Sequence, residues 1–393
     1  MRRFRHEICA AVVFAAALSA TFLAVISPPL VWSADASGAN SDAWPLARGD
    51  ALSTGVVHGE LPLDMKLVWK FDVKDGAFLA PAVIAEGTVF VGDADGTFYA
   101  FSLADGAVKW KHKLDTSYSG GAAYRDGKVY VGDLDGRVRC YDAKSGDVVW
   151  QYTTGTDENP GGEISSSPNF YKDIVLVGSR DATLYAIKAA DGNPAWQYQI
   201  GDQIRCSPTV VGNRSFLAGC DAKLHIVDVD KGAVVTTIDI QSQTGSSPAV
   251  LGDRVYFGSG SGAFFCVDWK TAKILWTYRD ERSEQQIESS AAVTNEGVYY
   301  GSQDKRVHAL DPKSGEHLWA FQTRGAVDSS PIVAGDRIYF GSADGRVYGV
   351  DRKTGKEGWK YEAGGRFRAA PAAAAGRMVI GNENGTLYCF GAR

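Results

Sequence analysis

Four charged residues stand in one recurring local context. Arg205, Glu288, Asp328 and Arg368 each come immediately before a short run of small residues: "CSP", "SSA", "SSP" and "AAP". Phe78, Ser165 and Gly245 are read at the same position in other copies. Side chains at a recurring position converge when the copies are arranged around an axis. Two guanidinium groups and two carboxylates gathered this way would either grip a small polar ligand or form a solvated funnel.

Cys206 and Cys220 offer a second chemistry. They stand where other copies carry serine pairs, Ser246 with Ser259 and Ser329 with Ser342, across a hairpin from each other. In an oxidising compartment the pair could form a disulfide. Its loop of about 15 residues would be worth at most ~3 kcal/mol. A one-residue slip of register would separate the thiols and leave both free. Cys140, Cys266 and Cys389 share one slot, held elsewhere by Ala100, Ala186 or Gly349, and are expected to be buried and inert.

The sequence picks out no catalytic residue. The six histidines (His6, His58, His112, His225, His308, His317) lack metal-ligand spacing, so no metal site is expected. No G-x-S-x-G, H-E-x-x-H or phosphate-binding glycine loop is present. The formal charge is −5, and Lys and Arg are scattered, which argues against nucleic acid.

These residues are positioned by a repeat. Glycines ending the second strand of each unit are read at Gly92, Gly132, Gly178, Gly219, Gly258, Gly301, Gly341 and Gly381. Tryptophans recur at Trp69, Trp110, Trp150, Trp196, Trp276, Trp319 and Trp359, with Thr236 midway through the one double step. Each unit reads as four short β-strands bounded by Gly-Asp or Asp-Gly turns. Eight such units predict an all-β, eight-bladed propeller with four antiparallel strands per blade. The last unit, "AAPAAAAGRMVIGNENGTLYCFGAR", lacks a fourth strand, and "KLVWKFDV" (66–73) is a fourth strand without its first three. The N-terminal strand is therefore expected to complete the last blade.

The segment before the ring divides in two. A basic start, the apolar run 8–26 and "ADA" at 34–36 read as a signal peptide over 1–36, with an uncleaved anchor as the alternative. Residues 37–65 form a lead-in, and 66–393 the propeller. Two connections are long and acidic, "TGTDENPGGEIS" (154–165) and "RDERSEQQIES" (279–289). They read as partner-binding loops or as tolerated surface insertions.

The motifs "DAKSGDVVW", "DPKSGEHLW" and "DRKTGKEGW" resemble the tryptophan-docking repeat of pyrroloquinoline-quinone (PQQ) type propellers, and "WPLARGDALSTG" (44–55) is similar to their lead-in. The resemblance covers nearly all of the chain after residue 36. It implies that Asp caps a turn, Gly supplies a positive φ, and the seven tryptophans dock each blade on the next. Burying ~150–250 Å² of indole is worth about 4–6 kcal/mol per residue as an upper bound, so the tryptophans need no ligand to explain them. Thr236 predicts one junction without this packing. Quinoprotein dehydrogenases of this kind are longer and hold PQQ with adjacent cysteines, a tryptophan platform and calcium or a lanthanide; this chain has no Cys-Cys pair. The resemblance leans instead to the non-catalytic branch that includes BamB-type subunits of outer-membrane assembly, although the lipoprotein cysteine of that branch is missing. The expectation is an exported, monomeric scaffold that binds a protein partner at the cell envelope, with peripheral membrane association left open and no cofactor. The alternatives are a PQQ- and calcium-dependent oxidoreductase or a small-ligand sensor.

Overall fold

The computed structural model describes residues 41–74, 76–155 and 161–392. The expected signal peptide and residues 37–40 lie outside them, as do residues 156–160 of the first long connection. Each repeat forms one four-stranded antiparallel sheet, and eight sheets make the ring: blades 1 to 8 span 83–113, 123–153, 169–199, 209–239, 249–279, 292–322, 332–362 and 372–391 with 66–72. Their innermost strands are only three residues long, as in Val83–Ala85 and Ile332–Ala334. The second and third strands are buried almost throughout; the outermost alternates, exposing every other residue. That gradient is what a stack of sheets around an axis imposes on β-rich, turn-bounded segments.

The ring closes as the truncated ends predict. Ala372–Ala374, Arg377–Gly381 and Thr386–Gly391 pair in order, and Lys66–Asp72 adds the outermost strand. Trp69 faces Cys389 across that last pairing.

A tryptophan on a glycine joins the blades. In blade 2, Asp142 Oδ1 accepts the backbone N–H groups of Lys144 and Ser145 and folds the turn, and Gly146 closes it at φ 81°. Trp110 of blade 1 lies on that glycine: a Cβ at Gly146 would stand 2.8 Å from the ring. The Trp110 Nε1–H donates to Ala143 O of blade 2 at 3.0 Å. Trp69, Trp150, Trp196 and Trp319 repeat the arrangement on Gly106, Gly192, Gly232 and Gly355. Trp276 also packs on its glycine, Gly315, but its Nε1 has no partner among the described residues. The matching carbonyl, Pro312 O, is taken by Arg254 and Tyr256. Trp359 donates to Met65 O, because blade 8 has a chain break where the others have the turn. In all eight sheets the register slips beside this position, a bulge that turns the outermost strand toward its neighbour.

The junction marked by Thr236 is filled from the opposite side. Trp269, in the turn of blade 5, packs edge-on against Phe216 of blade 4 at 5.7 Å and donates to Gly252 O. Ala272, at φ 55°, takes the glycine's place. The indole has moved from the donor blade to the acceptor blade.

The lead-in is part of the core. It makes a full lap inside the ring and bonds the innermost strand of one blade after another. Ser41 O accepts from Ala375 N beside the last blade, Trp44 pairs both ways with Ile84, and Pro45 O accepts from Tyr124 N. Ala51, Leu52, Thr54 and Gly55 carbonyls then accept from Val210, Val250, Val293 and Val333, while Asn169 Nδ2 reaches Ala51 O from blade 3. These contacts satisfy inner-edge donors that would otherwise face a hollow axis. Arg48 is the buried hub, donating to Ala291 O, Ser330 O and Pro331 O. Desolvation pulls its guanidinium down to about 10, against the nearby Asp50 carboxylate.

Two positions shift by one residue. The pairing Thr209↔Phe216 makes Ala218, not Gly219, the equivalent of Gly178 and Gly258. Cys206 therefore faces Ala218, Gly219 takes the place of Ser259, and Cys220 lies one residue past the register. The two cysteines are free thiols, not a disulfide. Cys140, Cys266 and Cys389 are free and buried as well.

Three outcomes follow from this packing. Thr236→Trp alone should lower stability by about 1–3 kcal/mol by overfilling the slot. Adding Trp269→Ala should recover most of that loss, a coupling of about 1–3 kcal/mol in urea unfolding; strictly additive effects would refute the exchange of indoles. Arg48→Met should cost about 2–4 kcal/mol, since it strands three buried carbonyls, and an unchanged urea midpoint would show that the axial segment does not hold the ring. Alkylation of the denatured, unreduced chain should label both Cys206 and Cys220. In the native chain at neutral pH Cys206 should stay unlabelled, because burial pushes its thiol up to about 12.

Candidate functional site

The channel mouth is built on a belt of serines. The first serine of each motif accepts from its own blade: Ser166 and Ser289 hydroxyls exchange hydrogen bonds with Gly178 and Gly301, at 2.7–2.8 Å, while Ser246 and Ser329 accept from Gly258 N and Gly341 N but donate across the seam to Ser289 O and Ala369 O. The second serine acts between blades. Gly121 N donates to Ser167 Oγ, Ser167 N to Ser207 Oγ, Ser207 N to Ser247 Oγ, Ser247 N to Ser290 Oγ, and Ser290 N to Ser330 Oγ. This stitching runs from blade 2 to blade 7, and it explains why a small hydroxyl recurs before the innermost strand.

Arg205, Glu288, Asp328 and Arg368 stand on this belt. Arg205 and Arg368 are exposed, and Glu288 and Asp328 half-buried. Arg205 and Glu288 lean toward each other over bare Gly245: a Cβ there would meet Glu288 Oε2 at 3.6 Å and Arg205 Cβ at 3.8 Å. Arg205 Nε donates to Gln203 Oε1, and Asp328 accepts from Gln303 Nε2. Ser165 Oγ is buried without a partner among the described residues. Phe78 does not belong in this set. It is fully buried under Gly381, one residue out of step, and Leu79 holds the mouth position. Below the mouth, the axial segment fits closely: the void between Leu46–Ser53 and blades 3 and 4 is about 10 Å³, a single water at most.

The connection at 279–289 is pinned rather than loose. Asp280 accepts from the Arg282 backbone N–H and guanidinium and from Arg306 Nη1. These bonds, the Arg282 side chain's first, hold the Asp280 carboxyl well below the usual range. In the first long connection, Glu163 pairs with Arg180 and Gly162 N donates to Asp181.

Asp280, Asp304 and His308 come close enough to share an ion, a grouping that linear spacing did not reveal. Their charges are already matched by Arg282 and Arg306. The His308 Nε2 contact to Asp304 Oδ2 at 2.9 Å repeats a structural pattern: Tyr185 with Asp181, His225 with Asp221, and Tyr348 with Asp344. For PQQ, the described residues supply no vicinal cysteines, and the docking tryptophans lie between blades rather than at the mouth. The residues here do not fit a quinone held in that manner.

No curated protein matches the chain at a significant level. A family model described as outer membrane protein assembly factor BamB matches residues 53–208, 202–326 and 303–393. Among solved structures, BamB from Moraxella catarrhalis superposes with a TM-score of 0.71 at 17% identity, covering 84% of this chain and 100% of that one. A europium-containing methanol dehydrogenase superposes at 0.76 and 13% identity, covering 90% and 98%. The quinohemoprotein alcohol dehydrogenase from Comamonas testosteroni gives 0.76 and 16%, covering 90% and 81%. At these identities the structures share the fold, and the match along nearly the whole ring supplies the family: the chain belongs to the BamB-like family of PQQ-type β-propellers.

Proposed function

We propose that this chain is an exported, non-catalytic scaffold that binds a protein partner at the cell envelope, within outer-membrane protein assembly. The family match along residues 53–393 carries the reading. The basic start and apolar run before residue 37 support export. The packing supports a role without chemistry. The lead-in covers the inner edges of the blades, the docking tryptophans are used up between blades, and the acidic cluster is neutralised by arginines. Rigid blades then present loops, the usual place for recognition on such scaffolds. The connection at 279–289 is the best supported contact surface, since its Asp280 anchor fixes its path while Glu281, Arg282, Glu284 and Gln285 stay exposed.

The test uses envelopes from the native organism. The tagged chain should retain one membrane-assembly partner through washing. Replacing the exposed Glu281, Glu284 and Gln285 with serine, while keeping Arg282 as the partner of Asp280, should lose that partner without lowering the unfolding midpoint. Adding PQQ and calcium should give no alcohol or sugar oxidation with a dye acceptor. Dye reduction abolished by a chelator would overturn the proposal.

A further inference from the structure

Blade 2 departs from the other seven at one place, and the departures converge. The third residue of the third strand carries an aromatic ring elsewhere, as in Tyr99, Tyr185, His225 and Phe265, but is Arg139 here. Two residues on, an apolar side chain elsewhere, such as Ile187 or Val227, becomes Tyr141. In the preceding connection Tyr118 replaces the likes of Phe78 and Ile164. The three face one seam, between blades 1 and 2, where His112 stacks on Tyr141 at 5.3 Å.

The fold does not require an arginine there. In blade 1 the corresponding carboxylate, Asp93, is satisfied by the Tyr99 hydroxyl at 3.0 Å. In blade 2 Arg139 is 5% exposed and pairs with fully buried Asp133. Burying such a pair gains little over a packed ring. Of its five N–H groups, one goes to Asp133 and one, from Nε, to Gln151 Oε1 at 2.9 Å. Three are left without an acceptor among the described residues. Thr116 Oγ1 also has no partner among them, while the buried hydroxyls of Tyr118 and Tyr141 lie close enough to bond each other. Arg139 and Thr116 line a cleft of about 570 Å³, bounded further by Asp115, Ser117, Asp135 and Arg137.

The surplus Arg139 N–H groups can only donate, and the Thr116 hydroxyl can donate beside them, so they call for a ligand that brings an acceptor. A carboxylate fits best, because a guanidinium binds it through two parallel hydrogen bonds. Asp115, Asp133 and Asp135 outnumber Arg137 and Arg139, so a small free anion gains no net attraction. The carboxylate has to arrive on a larger ligand with neutral or basic neighbours. We propose that the cleft between blades 1 and 2 binds a carboxylate carried by an extended peptide of the protein partner. This deepens the scaffold reading and rests on it.

The purified full chain is titrated into fluorescein-labelled heptapeptides and followed by anisotropy. One arm carries a central Glu flanked by Gly and Lys, with an amidated end, against its Gln counterpart. The other carries a free C-terminal carboxylate against its amide. One carboxylate peptide should bind at least about tenfold tighter than its neutral counterpart, and the arm that does so identifies an acidic side chain or a chain end. Arg139→Tyr installs the ring of the other blades and gives Asp133 the partner that Tyr99 gives Asp93. It should keep the unfolding midpoint and abolish the preference; Thr116→Val should weaken it about threefold or more. Equal binding of neutral peptides, no binding by any peptide, or unchanged preference in both variants would overturn the site. Peptide preference intact while the envelope test fails would sink the scaffold reading alone.

Discussion

The seam between blades depends on an indole lying flat against a glycine that cannot carry a side chain. One contact sets three things together. The glycine gives the turn its positive φ, the missing Cβ gives the ring its floor, and the Nε1–H locks the ring to a carbonyl of the same turn. Each blade alone is a small twisted sheet with both faces apolar, too small to stand in water. Docking converts eight such sheets into one core. The seam at Thr236 shows that the requirement is for an indole between the sheets, whichever sheet supplies it: Trp269 answers from the other side, and Ala272 then holds the glycine's conformation without its function as a floor.

The tryptophans act on the outer half of each seam, and the inner half is held differently. There the sheets crowd toward the axis and leave no room for large side chains, so joints are made by serine hydroxyls passing from blade to blade. The innermost strands still expose one edge. The axial segment covers that edge, with Arg48 gathering the carbonyls of blades 6 and 7. The charged residues at the mouth thus sit on a floor fixed from three directions.

Much of this was legible in the sequence, and the parts that were not have physical reasons. Blade count, strand order and closure by Lys66–Asp72 are written in local turn chemistry, which repeats faithfully. The Trp269 exchange was hidden because the compensating residue lies in a turn of the next blade rather than on the strand that changed. The serine belt could have been found, since Ser-Ser-Pro recurs, but its bonds run between copies and a repeat alignment sees only within them. Phe78 and Gly219 were each read one residue out of step because small or apolar residues flank both positions, Ala77 and Leu79 in one case and Ala218 and Cys220 in the other. The route of residues 41–57 left no periodic signal, as its contacts step from one blade to the next. The special character of Arg139 was visible as a break in a column of aromatics, yet only the cleft and its unaccepted N–H groups give that break a meaning.

That axial route has a consequence for biogenesis. The first part of the ring to be synthesised is held by every later part, including the last strands to leave the ribosome. Nothing near the N-terminus can settle until the C-terminus has arrived, so the fold is completed by contacts of very long sequence separation. Such a chain would remain open, with unpaired edges, until its last strands are in place. Late, all-at-once maturation is thus written into the same geometry.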